Sequence, residues 1–138
     1  MKGERLNVLF VCKYNVLRSK IAEAYLKKIN RGVNVRSAGI ISGGIGLYDD
    51  EKRILKKVGL ALSKTSTMLS KSLLDWADVI VIIANDIPKK MLLRKDSKRN
   101  VEVWKVRDGF AGASDKQIER IITTIMRRVD RRFGNYEN

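Results

Sequence analysis

Apolar residues along this chain fall into two alternating patterns, unbroken runs and stripes at helical spacing. Leu6 to Val11 is almost wholly apolar, which predicts a first strand covered on both faces. From Ser19 to Ile29, the residues Ile21, Ala22, Tyr25, Leu26 and Ile29 recur at helical spacing, with Lys20, Glu23, Lys27 and Lys28 mostly elsewhere on the helix. Val33 to Ser37 alternates briefly and stops at Ala38-Gly39, which predicts a short second strand. Asp49 to Lys57 predicts a helix, because acidic residues in the first turn suit the helix dipole and Gly59 follows its end. Met68 to Trp76 predicts a short helix leading into Asp78 to Ile83, the plainest strand signal in the chain. A helix around Pro88 to Leu93 and a fourth strand over Val101 to Val106 come next. In the last helix Ser114 and Gln117 form a capping box, Ile118, Ile121, Ile122, Ile125 and Val129 make the apolar stripe, and Gly134 closes the run.

Strands that alternate with helices imply right-handed crossovers and a parallel sheet covered on both sides. The expected architecture is α/β: a small doubly wound sheet of four parallel strands in the order 2-1-3-4, with helices on both faces. Glycines mark Ser42 to Gly46 as a flexible loop. There is no repeat or low-complexity segment and only one proline, so residues 1–138 are expected to form one domain. In such folds ligands bind beyond the carboxyl ends of the strands, at the switch point. The loop after the first strand leaves the sheet there.

Composition narrows the chemistry. The chain has one cysteine and no histidine, so it offers neither an internal disulfide nor a Cys/His metal site, and neither Ser-His-Asp nor Cys-His catalysis has its base. No metal and no cofactor are expected. No apolar run approaches membrane-spanning length, and no signal peptide is evident, so the expected location is cytoplasmic, with no membrane partner. The formal charge of +14, from 29 Lys and Arg against 15 Asp and Glu, favours acidic partners. The densest basic groups are Lys89-Lys90 with Arg94-Lys95 and Lys98-Arg99, and Arg127-Arg128 with Arg131-Arg132. Neither is interleaved with aromatics as a stacking platform would be, and nucleic acid is not expected as a partner.

The chemistry concentrates in one loop. Cys12 ends the first strand, Arg18 stands six residues on, and Ser19 opens the following helix. A tight loop at a helix N-terminus points its amides inward and makes an anion site, here with a thiol at its floor. A phosphate dianion needs donors on its equatorial oxygens, which the amides and a bidentate guanidinium supply, leaving sulfur in line with the leaving oxygen. The same donors favour a thiolate without any imidazole.

The run Val8-Leu-Phe-Val-Cys12-x-x-Asn15-x-x-Arg18-Ser19-x-x-Ala22-Glu23 resembles the signature of the low-molecular-weight protein tyrosine phosphatases and their arsenate-reductase relatives. Ser37-Ala38-Gly39, Ala77-Asp78 and Asp108 fall in the family's order, so the resemblance spans nearly the whole chain. It implies Cys12 as nucleophile, Arg18 as phosphate clamp and Asp108 as general acid and base, with Lys13, Tyr14, Asn15, Val16, Leu17 and Arg18 forming the phosphate loop. Asn15 and Ser19 would support that loop. Tyr14 and Phe110 would line the substrate entrance, Phe110 stacking on a phenyl ring.

Three positions depart from the family pattern. Tyr14 stands where the family has glycine, which implies strain if the loop needs a left-handed residue there. Gly109 replaces the proline after the acid, and Lys20 replaces a helix-opening proline. The expected activity is hydrolysis of phosphotyrosine proteins or small aryl phosphates through a cysteinyl phosphate. The rival expectations are arsenate reduction with an external thiol, and a non-catalytic module binding anions or nucleic acid.

Overall fold

The computed structural model describes residues 5–92 and 100–134. Within them four parallel strands, β1 (Leu6–Cys12), β2 (Val33–Gly39), β3 (Val79–Ile83) and β4 (Asn100–Trp104), form one sheet in the order β2-β1-β3-β4. Helices α1 (Arg18–Ile29), α2 (Asp49–Val58), α3 (Lys71–Trp76) and α4 (Asp115–Phe133) connect or follow them. The expected α/β class and strand order hold.

The two-sided covering of β1 follows from strand geometry, since successive side chains point to opposite faces. Val8 and Phe10 join Ile21 and Leu26 of α1 and Ile122 and Ile125 of α4 in one buried cluster. Leu9 and Val11 join Leu73 of α3, Ile80, Ile82 and Ile87 in the other. Each such side chain, fully removed from water, contributes about 1.5–3 kcal/mol. The Phe10 ring meets Phe133 edge-on at 6.0 Å and Trp104 at 5.9 Å, tying the last helix and last strand to the first.

The central position of β1 also places its end at the switch point. The chain leaves β1 toward β2 on one side, then crosses to β3 on the other. Cys12 pairs with Gly39 at the carboxyl edge of the sheet, in the crevice this reversal opens.

Three element boundaries differ from the sequence expectation. Residues before Lys71 are not helical: Met68 bridges Gly39, Leu69 N–H donates to Gly39 C=O at 2.8 Å, and Ser70 caps α3 by accepting from Leu73 N–H. Pairing at the sheet edge outweighs helix propensity there. The helix expected around Pro88 is a 3-10 turn over Lys89–Met91, closed by a Leu92-to-Lys89 bond, while Leu93 lies outside the described residues. The fourth strand stops at Trp104, and the Val106 carbonyl is used by a side chain instead.

Of the basic groups, Arg94, Lys95, Lys98 and Arg99 also lie outside the described residues. In α4, Arg128 lies over the buried Trp104 and Arg132 over the buried Phe133, where Arg132 also pairs with Glu102 at 2.7 Å.

Candidate active site

The loop from Cys12 to Arg18 is built around Asn15, not around Tyr14. Among the described residues Asn15 is the one non-glycine residue in the left-handed region, at φ 56°. Asparagine tolerates that conformation far better than tyrosine. The strain expected at Tyr14 is therefore absent, because the positive φ falls one residue later. Asn15 is wholly buried and clamped on every side. Its Nδ2 donates to Ser19 Oγ at 2.7 Å and Ser37 Oγ at 2.9 Å, and its Oδ1 accepts from Thr67 N–H at 2.8 Å. Its carbonyl accepts from Ser66 Oγ at 3.0 Å. Tyr14 fits because β2 ends in glycine: a Cβ on Gly39 would stand 2.7 Å from the Tyr14 carbonyl carbon.

These bonds orient the sulfur's partners. Ser19 Oγ already accepts from Asn15, so its own proton is left for Cys12 Sγ at 3.0 Å. Ser19 N–H, near the start of α1, approaches the same sulfur at 3.4 Å. Two donors at a helix N-terminus stabilise negative charge on a buried sulfur. Ser37 in turn donates to Glu23 Oε1 at 2.7 Å, which anchors the network in α1.

Arg18 is 1% exposed, and its guanidinium is only partly satisfied. Nη1 donates to Val106 C=O at 2.8 Å, Nη2 lies 3.5 Å from Asp108 Oδ2, and Nε has no hydrogen-bond partner among the described residues. A buried guanidinium with an idle donor is costly unless an anion completes it. Lys20, where a helix-opening proline was expected, is also buried and donates to Thr65 C=O, next to the Ser66 and Thr67 that hold Asn15. Burial pulls its ammonium below the ordinary lysine value, with the Glu23 carboxylate opposing.

A cavity of about 210 Å³ opens over Cys12. Of the residues predicted for the site, Cys12, Tyr14, Val16, Leu17 and Asp108 line it, while Asn15, Arg18 and Ser19 are buried and do not. Lys13 does not, its amine lying 3.7 Å from Asp86. Phe110 does not line it either. Its carbonyl accepts from Ala113 N–H in a turn, and its ring, 36% exposed, meets the Arg107 guanidinium at 5.1 Å. The second aromatic wall comes from Tyr48 instead.

Sequence reasoning also missed Glu51, which lines the same cavity and is only 4% exposed. In the sequence it is simply an acidic residue of a first helical turn, and its Oε1 does accept from Tyr48 N–H at 3.0 Å. Its Oε2 lies under the Asp108 turn, where a Cβ on Gly109 would collide with it. The glycine in place of proline was the available signal, but only the fold shows which side chain fills the space. Burial pushes the Glu51 carboxyl above its ordinary value of 4.5, the Tyr48 hydrogen bond opposes this, and the Asp108 charge adds to it.

The folded protein thus keeps the Glu51 proton to higher pH than the unfolded chain does. Between 4.5 and the raised folded value the native state binds more protons, so stability falls as pH rises. Glu51→Gln keeps the acceptor for Tyr48 and removes this fall. Its melting temperature should exceed that of the wild type by a few degrees at pH 7, with the gap closing near pH 4. Parallel melting curves across that range would refute the assignment.

An α/β sheet that ends one of its central strands in a thiol, follows it with a loop at a helix N-terminus and sets a buried arginine at the end of that loop offers a site for an anion. A sequence profile of the family described as low molecular weight phosphotyrosine protein phosphatase matches residues 7–133, and the chain belongs to that family. It is 37% identical over 86 residues to a low molecular weight protein-tyrosine-phosphatase from Acinetobacter johnsonii, a match covering 60% of each chain. It is 36% identical over 80 residues to an arsenate reductase from Brevibacillus brevis, covering 56% of this chain and 58% of that one. The aligned stretches thus span less than two thirds of these relatives. The solved structure of an arginine phosphatase from Geobacillus stearothermophilus superposes with a TM-score of 0.71 at 26% identity, covering 91% of this chain and 92% of that one. Among the described residues no helix is long and apolar enough to cross a membrane.

Proposed function

We propose that this phosphatase hydrolyses phosphotyrosine or related aryl phosphates through a cysteinyl-phosphate intermediate. The observation that carries the proposal is the buried Cys12 sulfur, held by two donors from Ser19, beside a buried Arg18 with an unpartnered Nε. Loop amides and Arg18 hold the phosphoryl oxygens. The Cys12 thiolate attacks phosphorus as the bond to the aryl oxygen breaks, and Asp108 gives that oxygen its proton. Asp108, now a carboxylate, takes a proton from the water that attacks the phosphocysteine. Inorganic phosphate leaves and the thiolate is restored.

Tyr14, Tyr48, Val16 and Leu17 give the cavity aromatic and apolar walls, which favour an aryl group. Arsenate reduction within one chain needs further thiols to resolve the adduct, and Cys12 is the only cysteine. That reading survives only with an external thiol. A lone reactive thiol stays reduced in the cytoplasm, where we place the protein.

The test is an aryl-phosphate assay with a chelator present, run beside a phosphoarginine peptide and an arsenate-plus-glutathione assay. Turnover of the aryl phosphate should exceed the other two. Preferential release of phosphate from phosphoarginine, or arsenate reduction without aryl-phosphate hydrolysis, would overturn the assignment.

A further inference from the structure

A second, larger groove of about 760 Å³ adjoins the catalytic cavity. The two share Val16, Gly44 and Gly46, so a chain flanking a phosphoryl group over Cys12 has a continuous path into this groove. The half-buried Leu47 and Leu62 supply apolar surface in the groove over the buried Leu55 and Leu60, while Lys52, Lys56 and Lys64 supply its charge. Among the described residues no acidic one lines it.

On α2 the charge is paired on one side and unpaired on the side facing the groove. On neighbouring positions of α2, Arg53 pairs with Asp50 at 3.1 Å and Asp115 at 2.6 Å, and Lys57 approaches Glu119 at 3.8 Å. Lys52 and Lys56, one turn apart on the same helix, are exposed and have no ion-pair partner among the described residues, and neither does Lys64. Intramolecular pairing would have been the default for a helix carrying Asp49, Asp50 and Glu51 in its first turn. An unneutralised basic rim around an apolar floor, opening from the reaction centre, fits an acidic chain with apolar side chains.

We propose that this groove docks the segment flanking the phosphorylated residue of a protein substrate, with apolar side chains on the leucines and Asp or Glu against Lys52, Lys56 and Lys64. The proposal rests on the phosphatase reading and adds a substrate class to it. Small aryl phosphates do not reach the groove, so they report the chemistry separately from the docking.

The experiment compares two phosphotyrosine peptides, one flanked by Asp, Glu and Leu, the other with Lys in place of the acidic residues. At low salt kcat/KM for the acidic peptide should exceed that for the basic one by about tenfold, as expected of several exposed charge pairs acting together. The gap should shrink as salt screens the rim. The triple variant Lys52→Glu, Lys56→Glu, Lys64→Glu should erase or invert the preference while changing kcat/KM for a small aryl phosphate less than twofold. Fluorescence anisotropy of the unphosphorylated acidic peptide should show binding to the wild type and its loss in the triple variant.

Equal kcat/KM for the two peptides overturns the docking proposal, as does a triple variant that loses all three substrates in parallel. Tighter binding of a single-stranded oligonucleotide than of the acidic peptide, lost in the same variant, also overturns it. Absence of aryl-phosphate turnover in the wild type overturns the phosphatase reading alone, and the anisotropy then judges the groove.

Discussion

Replacement of Cys12 by serine is expected to abolish phosphate release from an aryl phosphate while leaving the protein folded and able to bind inorganic phosphate. The sulfur is the smallest part of the anion cradle. Loop amides, Arg18 and the Asn15 clamp remain in the variant, and Ser19 Oγ can still bond a hydroxyl where it now meets sulfur at 3.0 Å. What disappears is the nucleophile, because a serine hydroxyl must lose its proton to attack, and Asp108, the acid of that step, is not free to take it. Turnover should fall about 10⁴-fold or more, the scale seen when a covalent nucleophile is removed. Calorimetric titration with phosphate should show near-native affinity. Retained turnover would eliminate the cysteinyl phosphate, and lost phosphate binding with intact folding would mean that the sulfur, not the loop, holds the anion.

Asp108→Asn should have the next largest effect, a loss of about 10²–10⁴-fold in kcat, the usual span of a general acid. Asp108 follows β4, lines the cavity over Cys12 and lies 3.5 Å from Arg18 Nη2, with its side chain 42% exposed. Asparagine keeps the size and the acceptor for Gly109 N–H, now 2.9 Å from Oδ1, so the turn should hold. It cannot deliver a proton. The loss should therefore grow as the leaving phenol becomes a weaker acid, and nearly vanish for an activated nitrophenolate whose departure needs little help. A uniform loss across leaving groups would reduce Asp108 to a positioning role through Arg18.

The candidate anion loop was largely legible because its parts are adjacent in sequence. Cys12, Asn15, Arg18 and Ser19 lie within one strand-to-helix turn, and the chemistry of a thiol, an amide cradle and a guanidinium depends on that spacing. Asp108 was reachable only through its place after the fourth strand. Glu51, Tyr48 and Thr67 were not reachable, since each enters the site through a crossover whose packing no local pattern encodes. Phe110 shows the opposite error. An aromatic next to the acid suggested a substrate wall, but the turn back to Ala113 carries the ring outward onto Arg107.

Tyr14 separates the two kinds of information most clearly. A tyrosine in a tight anion loop looked strained because residue type alone cannot say where the backbone turns left-handed. Tertiary contacts decided it: the bonds with Ser19, Ser37, Ser66 and Thr67 all converge on Asn15 and hold the positive φ there, while Gly39 makes room for the loop backbone and Gly44 for the Tyr14 side chain. Hydrophobic periodicity determined the strands and the longer helices, because burying those stripes dominates the free energy of folding. The reactive loop's residues were likewise written in one contiguous stretch. Which residue bears the strain, which carboxyls face the sulfur and which lysines are left unpaired beside it follow from long-range packing, where each outcome depends on a partner tens of residues away.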